Sequence, residues 1–334
     1  MAKARNLAVD IGRLIAATGV IILHLTPSTP MGENFNTLFW IFCVPFFVTT
    51  SLYFFVKSAV KSPPTRSPFK KIDRLVIPYL VWSLIYVVMR YVKFQLQGEG
   101  GFGFDVIGLI FYGTAAVQLY FIPWIICFRL QFFCGRLMFF SGRHWKNIML
   151  GTLGMASLFG FAWYGGFEGY FSWGGGIFWL GILYSLAALF LVGLERSGLL
   201  KNSWVRWGAI ASFIAVEITN YFTYTQAADN LFLKLGLPVL GGLSSTLIAL
   251  TFSATSHRQW LVGLLSTTYG IYLAHHAVIE VFEFAGGRVG LELQPYDIVE
   301  KLLFGAVVLA ATIALILLVR LSRRLAYVVL GDVA

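Results

Sequence analysis

The sequence predicts an all-α protein, a polytopic transmembrane helical bundle of about ten spans with both termini in the cytoplasm. Three observations carry this. Of its 334 residues, 58% are hydrophobic and only 12% are charged, with a mean hydropathy of +0.77, far too apolar for a water-soluble domain. The apolar residues come in runs of about 20, the length a helix needs to cross a bilayer, and they do not alternate as barrel strands would. The basic residues also gather on alternate connections, as cytoplasmic loops require.

In order, the runs fall near 7–26, 37–57, 74–95, 117–137, 147–164, 176–194, 203–221, 236–254, 261–284 and 298–319. With the N-terminus inside, the inner segments hold Lys3, Arg5, Lys57, Lys61, Arg66, Lys70, Lys71, Arg74, Arg136, Arg143, Lys146, Arg196, Lys201, Arg206, Arg258, Arg320, Arg323 and Arg324. The outer segments hold only Arg90, Lys93, Lys234, Arg288 and Lys301. The net charge of +10 thus marks orientation in a membrane and not a nucleic-acid surface. Cys43, Cys127 and Cys134 lie in or beside apolar runs without metal-type spacing and define no disulfide framework. Residues 1–25 read as a retained first span, because the apolar stretch is longer than a signal-peptide core and no small-x-small cleavage site follows it.

Between the spans, 57–74 is a basic, proline-bearing cytoplasmic loop. The outer segment 96–116 is Gly-rich and then apolar over a length too short for a crossing, which predicts a re-entrant or interfacial piece. A second outer stretch, 163–176, mixes glycines with aromatics, side chains that anchor at the interface and also stack on sugar rings. No soluble domain or internal repeat separates from these spans, so residues 1–334 read as a single membrane domain.

The first span, RNLAVDIGRLIAATGVIILHL, carries Asp10, Arg13 and His24. Charge inside a span is costly and by default marks a function. Eleven residues make about three helical turns, so Arg13 and His24 lie within ~20° of one face and about 16 Å apart along the axis. The ninth span, LLSTTYGIYLAHHAVIEVFEF, places His275 and His276 at a depth similar to that of His24. Imidazoles from two helices can therefore meet in the outer half of the membrane, and imidazole suits base catalysis because its ordinary pKa lies near physiological pH. Of two adjacent histidines, one is expected to turn away from a shared cavity. Glu280 and Glu283 are expected to reach interfacial water. Arg129, in the fourth span, either joins Arg13, Lys71 and Arg74 in a positive inner vestibule suited to a phosphorylated ligand or holds the bundle together, as do Glu217 and Asn220. There is no GxxxxGK[ST], CxxC or HExxH motif, and no metal site is expected.

At these residues the chain resembles the integral-membrane acyltransferase 3 family. Arg13 to His24 matches its R-X10-H pattern, and KIDRLVIPYLVW (71–82) its basic-x-x-Arg motif followed by Pro-Tyr. QLYFIPWI (118–125) is similar to its HLWFL segment, and STTYGIYLAHH (266–276) to its Tyr-x-x-Tyr-Leu-x-His element. Lys71 stands where the family commonly has Arg, and Gln118 where it has His. No hydrolase-like domain follows the last span, as in stand-alone members.

The resemblance implies an acyl-CoA-dependent O-acyltransferase in a bacterial inner (plasma) membrane. The acyl group, most often acetyl, would pass from cytoplasmic acyl-CoA to a hydroxyl of an exopolysaccharide or a lipid-linked oligosaccharide. Arg13, Lys71, Arg74 and Arg129 would meet the coenzyme A phosphates, and His24 would act as catalytic base. The sequence does not identify the donors for the developing oxyanion, for which Tyr269, Tyr272 or His275 could serve. A glycan transporter or flippase, or a non-catalytic subunit of a polysaccharide export complex, are the other classes compatible with charged residues in spans.

Overall fold

A computed structural model describes residues 6–63, 72–97, 105–106, 108–140, 144–164, 176–223, 230–252, 259–291 and 293–332. The described residues form helices joined by turns: α1 Leu7–His24, α2 Pro30–Trp40, α3 Cys43–Ala59, α4 Asp73–Gln97, α5 Phe121–Phe140, α6 Trp145–Tyr164, α7 Gly176–Arg196, α8 Ser203–Thr223, α9 Leu231–Thr251, α10 Gln259–Leu265, α11 Thr268–Arg288, α12 Ile298–Arg320 and α13 Arg323–Leu330. The protein is all-α, as expected.

Seven segments among the described residues are long and apolar enough to cross a membrane: Leu7–His24, Pro30–Ala59, Asp73–Leu96, Phe121–Phe140, Gly176–Arg196, Leu233–Thr251 and Ile298–Arg320. The other expected spans coincide with α6, α8 and the α10–α11 pair, which are helical without being among the seven. The second span differs from expectation, because the chain turns at residues 41–42 between α2 and α3. Pro45 sits in the first turn of α3, where its missing N–H costs nothing, so the helix starts anew there. The ninth span is likewise divided, at residues 266–267, into α10 and α11. Of the segments read as loops, residues 64–71, 98–104 and 165–175 lie outside the described residues. The described end of 96–116 holds a single π-helical turn, Gly108–Tyr112, followed by Gly113 at φ 69°.

The chain divides into two compact units. The first comprises residues 1–23, 30–68 and 124–266. In it α3 packs against α7 and α9, with α8 against α9, α2 against α8 and α6 against α7. Small residues permit the close approach: a Cβ on Gly242 of α9 would lie 2.6 Å from the Pro45 carbonyl oxygen of α3. Polar ties cross the same helices. The Tyr53 hydroxyl donates to Glu195 at 2.8 Å, and Lys57 pairs with the same carboxylate. Asn220 of α8 donates to the Thr37 carbonyl at 3.0 Å, the bundle-holding role its sequence position allowed.

The second unit comprises residues 24–29, 69–123 and 267–334. Here α11 packs on α12 and against α4, and α13 lies against α4 and α12. Asp297 and Glu300 form a reciprocal capping box at the start of α12. The residues just after His24 are pinned to the loop before α12: Tyr296 N–H donates to Thr26 O at 2.9 Å and Ser28 N–H to Tyr296 O at 2.8 Å. The Tyr296 hydroxyl donates to Glu283 at 3.1 Å, so that glutamate serves this clasp. Burial, and then the Glu283 charge, push this hydroxyl well above the ordinary phenol range. The clasp fixes the chain immediately beyond His24 against the segment that leads into α12.

Candidate functional site: three imidazoles in one cluster

His24 is the last residue of α1, and its ring belongs to the second unit. Its centroid lies 5.2 Å from that of His275 and 5.3 Å from that of His276. Both neighbours on α11 therefore face His24, which corrects the expectation that one must turn away. Adjacent helical residues diverge by about 100°, and here the His24 ring is met by both, with His275 and His276 centroids 6.5 Å apart.

Hydrogen bonds set the proton positions. His275 is fully buried, and its Nδ1 lies 2.9 Å from the Ile271 carbonyl oxygen. A carbonyl only accepts, so Nδ1 carries the hydrogen and Nε2 of the neutral ring is a bare lone pair. That Nε2 is buried with no hydrogen-bond partner among the described residues. His276 is held in the opposite sense. Its Nε2 lies 3.2 Å from Oε1 of Glu280, one turn on, so in the neutral ring Nδ1 is the bare acceptor, likewise buried and unpartnered among the described residues. Glu280 is thus a partner of His276, where the sequence pointed to interfacial water. Arg90 and Lys93 of α4 are near enough to act on its charge.

Tyr86 of α4 borders the cluster, with its ring centroid 6.2 Å from that of His276. Its hydroxyl donates to Leu273 O at 2.8 Å and accepts from Ala277 N–H at 3.1 Å. It thereby inserts beside one rung of the α11 ladder, on the turn that carries both histidines. It also accepts from Gln118 Nε2 at 2.6 Å. Gln118, standing where the resembled family has His, spends its donor on this tyrosine, while its Oε1 is buried without a partner among the described residues. The Tyr272 hydroxyl donates to the Gln118 carbonyl, and the Tyr269 hydroxyl lies 3.4 Å from the Leu75 carbonyl. Both proposed oxyanion donors are therefore turned to backbone acceptors. With Nδ1 donating to Ile271 O, Nε2 of neutral His275 receives a proton and does not donate one.

The sequence reading missed Tyr86 altogether. Its only signal is a hydroxyl in a span that has to find partners. The basic residues divide between the units. In the first, Arg13 Nη1 lies 3.5 Å from Asp10 Oδ1, and its guanidinium sits over the Phe54 ring at 5.4 Å. Arg129 sits over the adjacent Phe55 ring at 5.3 Å, so both arginines lean on α3. Arg74 belongs to the second unit, in the first turn of α4, and makes no ion pair among the described residues. Lys71 lies outside the described residues. Among the described residues no group of three or more His, Cys, Asp or Glu side chains is arranged to hold a metal ion.

The cluster thus offers two buried imidazole lone pairs beside a third imidazole, an arrangement able to take up protons from hydroxyl groups. No curated protein and no solved structure matches the chain. A protein-family model described as an acyltransferase domain matches residues 6–321, from the start of α1 to the end of α12. The chain belongs to the acyltransferase 3 family and is a membrane acyltransferase.

Proposed function

We propose that the protein moves a short acyl group, most often acetyl, from cytoplasmic acyl-CoA to a hydroxyl of an exopolysaccharide or other surface-glycan sugar at a bacterial inner membrane. The observation that carries this reading is the pair of imidazoles packed against His24, each with a buried, unpartnered ring nitrogen among the described residues: His275 Nε2 and His276 Nδ1. An unsatisfied polar atom buried in protein costs free energy. A sugar hydroxyl, at once donor and acceptor, would satisfy such atoms, which an apolar ligand would not.

In this mechanism His24 takes the proton of the acceptor hydroxyl as its oxygen attacks the thioester carbonyl. The tetrahedral intermediate collapses with cleavage of the C–S bond, and the leaving thiolate takes the proton from the His24 imidazolium, giving the ester and free coenzyme A. His275 and His276 hold the attacking hydroxyl and share the proton load. Arg13, Lys71, Arg74 and Arg129 bind the donor's phosphates, since Arg and Lys answer phosphate by charge and hydrogen bonding.

The test is transfer of labelled acetyl from acetyl-CoA to glycan by membranes containing the protein, set beside membranes without it. Transfer above the control supports the reading. Protein that is folded and inserted, yet neither transfers label nor is thermally stabilised by coenzyme A, would instead indicate the transporter or subunit class.

A further inference from the structure

The family match ends at residue 321, and the chain continues past it into α13. An isolated eight-residue helix does not persist in water, so tertiary contacts must hold this one. They converge on the end of α4 that carries Arg74. The Tyr327 hydroxyl donates to Asp73 Oδ2 at 2.8 Å, and Trp82 Nε1 donates to Val329 O at 3.0 Å. Ala326 and Leu330 are buried, while Arg323, Arg324 and Leu325 face out.

The helix closes at Gly331, φ 68°, where Gly331 N–H bonds Tyr327 O at 3.0 Å and Asp332 N–H bonds Ala326 O at 3.2 Å. A Cβ at Gly331 would collide with the Arg74 carbonyl oxygen. Asp332 then turns back to Arg320 at 2.8 Å. The C-terminal helix is thereby seated on the backbone of Arg74 itself.

Asp73 precedes Arg74 in the first turn of α4. The helix dipole makes that turn favourable for anions, although the Leu75 and Val76 N–H groups already donate to Ile72 O. A loose Asp73 carboxylate would be the nearest competitor of any phosphate for the guanidinium. The Tyr327 hydroxyl engages it, and the carboxylate in turn pushes that hydroxyl above the ordinary phenol range.

We propose that α13 is a positioning element for donor binding: Tyr327 draws the Asp73 carboxylate toward α13 and so leaves Arg74 to a phosphate of the acyl donor. This rests on the reading of Arg74 as a phosphate ligand given above. Tyr327 acts through Asp73 and touches no reacting atom.

The test is the KM for acyl-CoA and the kcat of four variants in membranes. Tyr327→Phe should raise KM about 3- to 10-fold, the range a typical net hydrogen bond spans, with kcat within about twofold. Adding Asp73→Asn to Tyr327→Phe should bring KM back to near wild type, a rescue that a purely structural role for the tyrosine does not predict. A Tyr327→Phe KM equal to wild type, or one that Asp73→Asn fails to restore, overturns the proposal. Arg74→Ala separates the two layers. If it raises KM while Tyr327→Phe does not, the inference about α13 fails and the phosphate reading stands. If it leaves KM unchanged, the phosphate reading fails and the inference with it. Should Tyr327→Phe not accumulate, Asp73→Asn alone decides, because a KM at or below wild type supports the proposal and a raised KM overturns it.

Discussion

Two imidazoles that leave a helix in directions about 100° apart both reach His24, and each is held by a different acceptor. His275 is tied to its own helix through Ile271 O, and His276 to the Glu280 carboxylate. The carboxylate makes His276 the ring whose orientation depends on a removable side chain. Glu280→Gln should therefore lower kcat at least about 10-fold with little change in acyl-CoA KM, since a hydrogen bond to a charged group is worth roughly 1.5–3 kcal/mol. Steady-state kinetics check this, and an unchanged kcat would remove His276 from the reaction. Tyr86→Phe strips the hydroxyl from a side chain that is 1% exposed and bonded to Leu273, Ala277 and Gln118. It should cost about 1–3 kcal/mol, read as a lower midpoint of thermal unfolding in detergent. His24 and His275 were legible in the sequence because charge in a span is rare and the two sit at matching depths. The Glu280 partnership was not, because four residues along a helix brings two side chains to one face without saying whether they meet.

At the scale of the element, apolar run length located the helices well. Asp73–Gln97 and Ile298–Arg320 begin within a residue of the expected 74 and 298. The breaks at 41–42 and 266–267 escaped it, since hydrophobicity continues through a turn whose backbone groups find other partners. The C-terminal helix escaped for the opposite reason. It is eight residues long with polar and apolar positions mixed, too short for a span and visible only through what it packs on. The α3–α9 contact depends on glycine in a way open to test. Gly242→Val would place its Cβ 2.6 Å from the Pro45 carbonyl oxygen and 2.9 Å from its carbon, backbone atoms that cannot turn aside. Overpacking of this kind costs about 1–3 kcal/mol. The variant should unfold at lower temperature in detergent than the wild type, while the same change at Gly193, where a Cβ meets nothing within 4 Å, should be far milder.

Across the whole molecule, the number of crossings decides where the two ends lie. About ten crossings put both termini on one side, and the basic residues near each end, Lys3 and Arg5 at the first and Arg320, Arg323 and Arg324 at the last, favour the cytoplasm. Seven crossings, the number of segments that pass on length and apolarity, would put the ends on opposite sides. A fluorescent reporter that matures only in the cytoplasm should therefore glow when fused after residue 334, and a phosphatase active only outside should be silent there. The reverse pattern would show that α6, α8 or the α10–α11 pair does not cross. Topology of this kind also bears on the proposed chemistry, in which an acyl donor from inside and a glycan acceptor from outside would both have to reach the imidazole cluster.

The central claim is that His24, beside His275 and His276, is the base of an acyl transfer. It is tested most directly by measuring label transferred from acetyl-CoA to glycan in membranes carrying wild type or His24→Ala at equal abundance. General-base catalysis contributes about 10²–10⁴-fold, so the variant should lose at least about 100-fold in rate while still being thermally stabilised by coenzyme A. Transfer within about twofold of wild type would contradict the account.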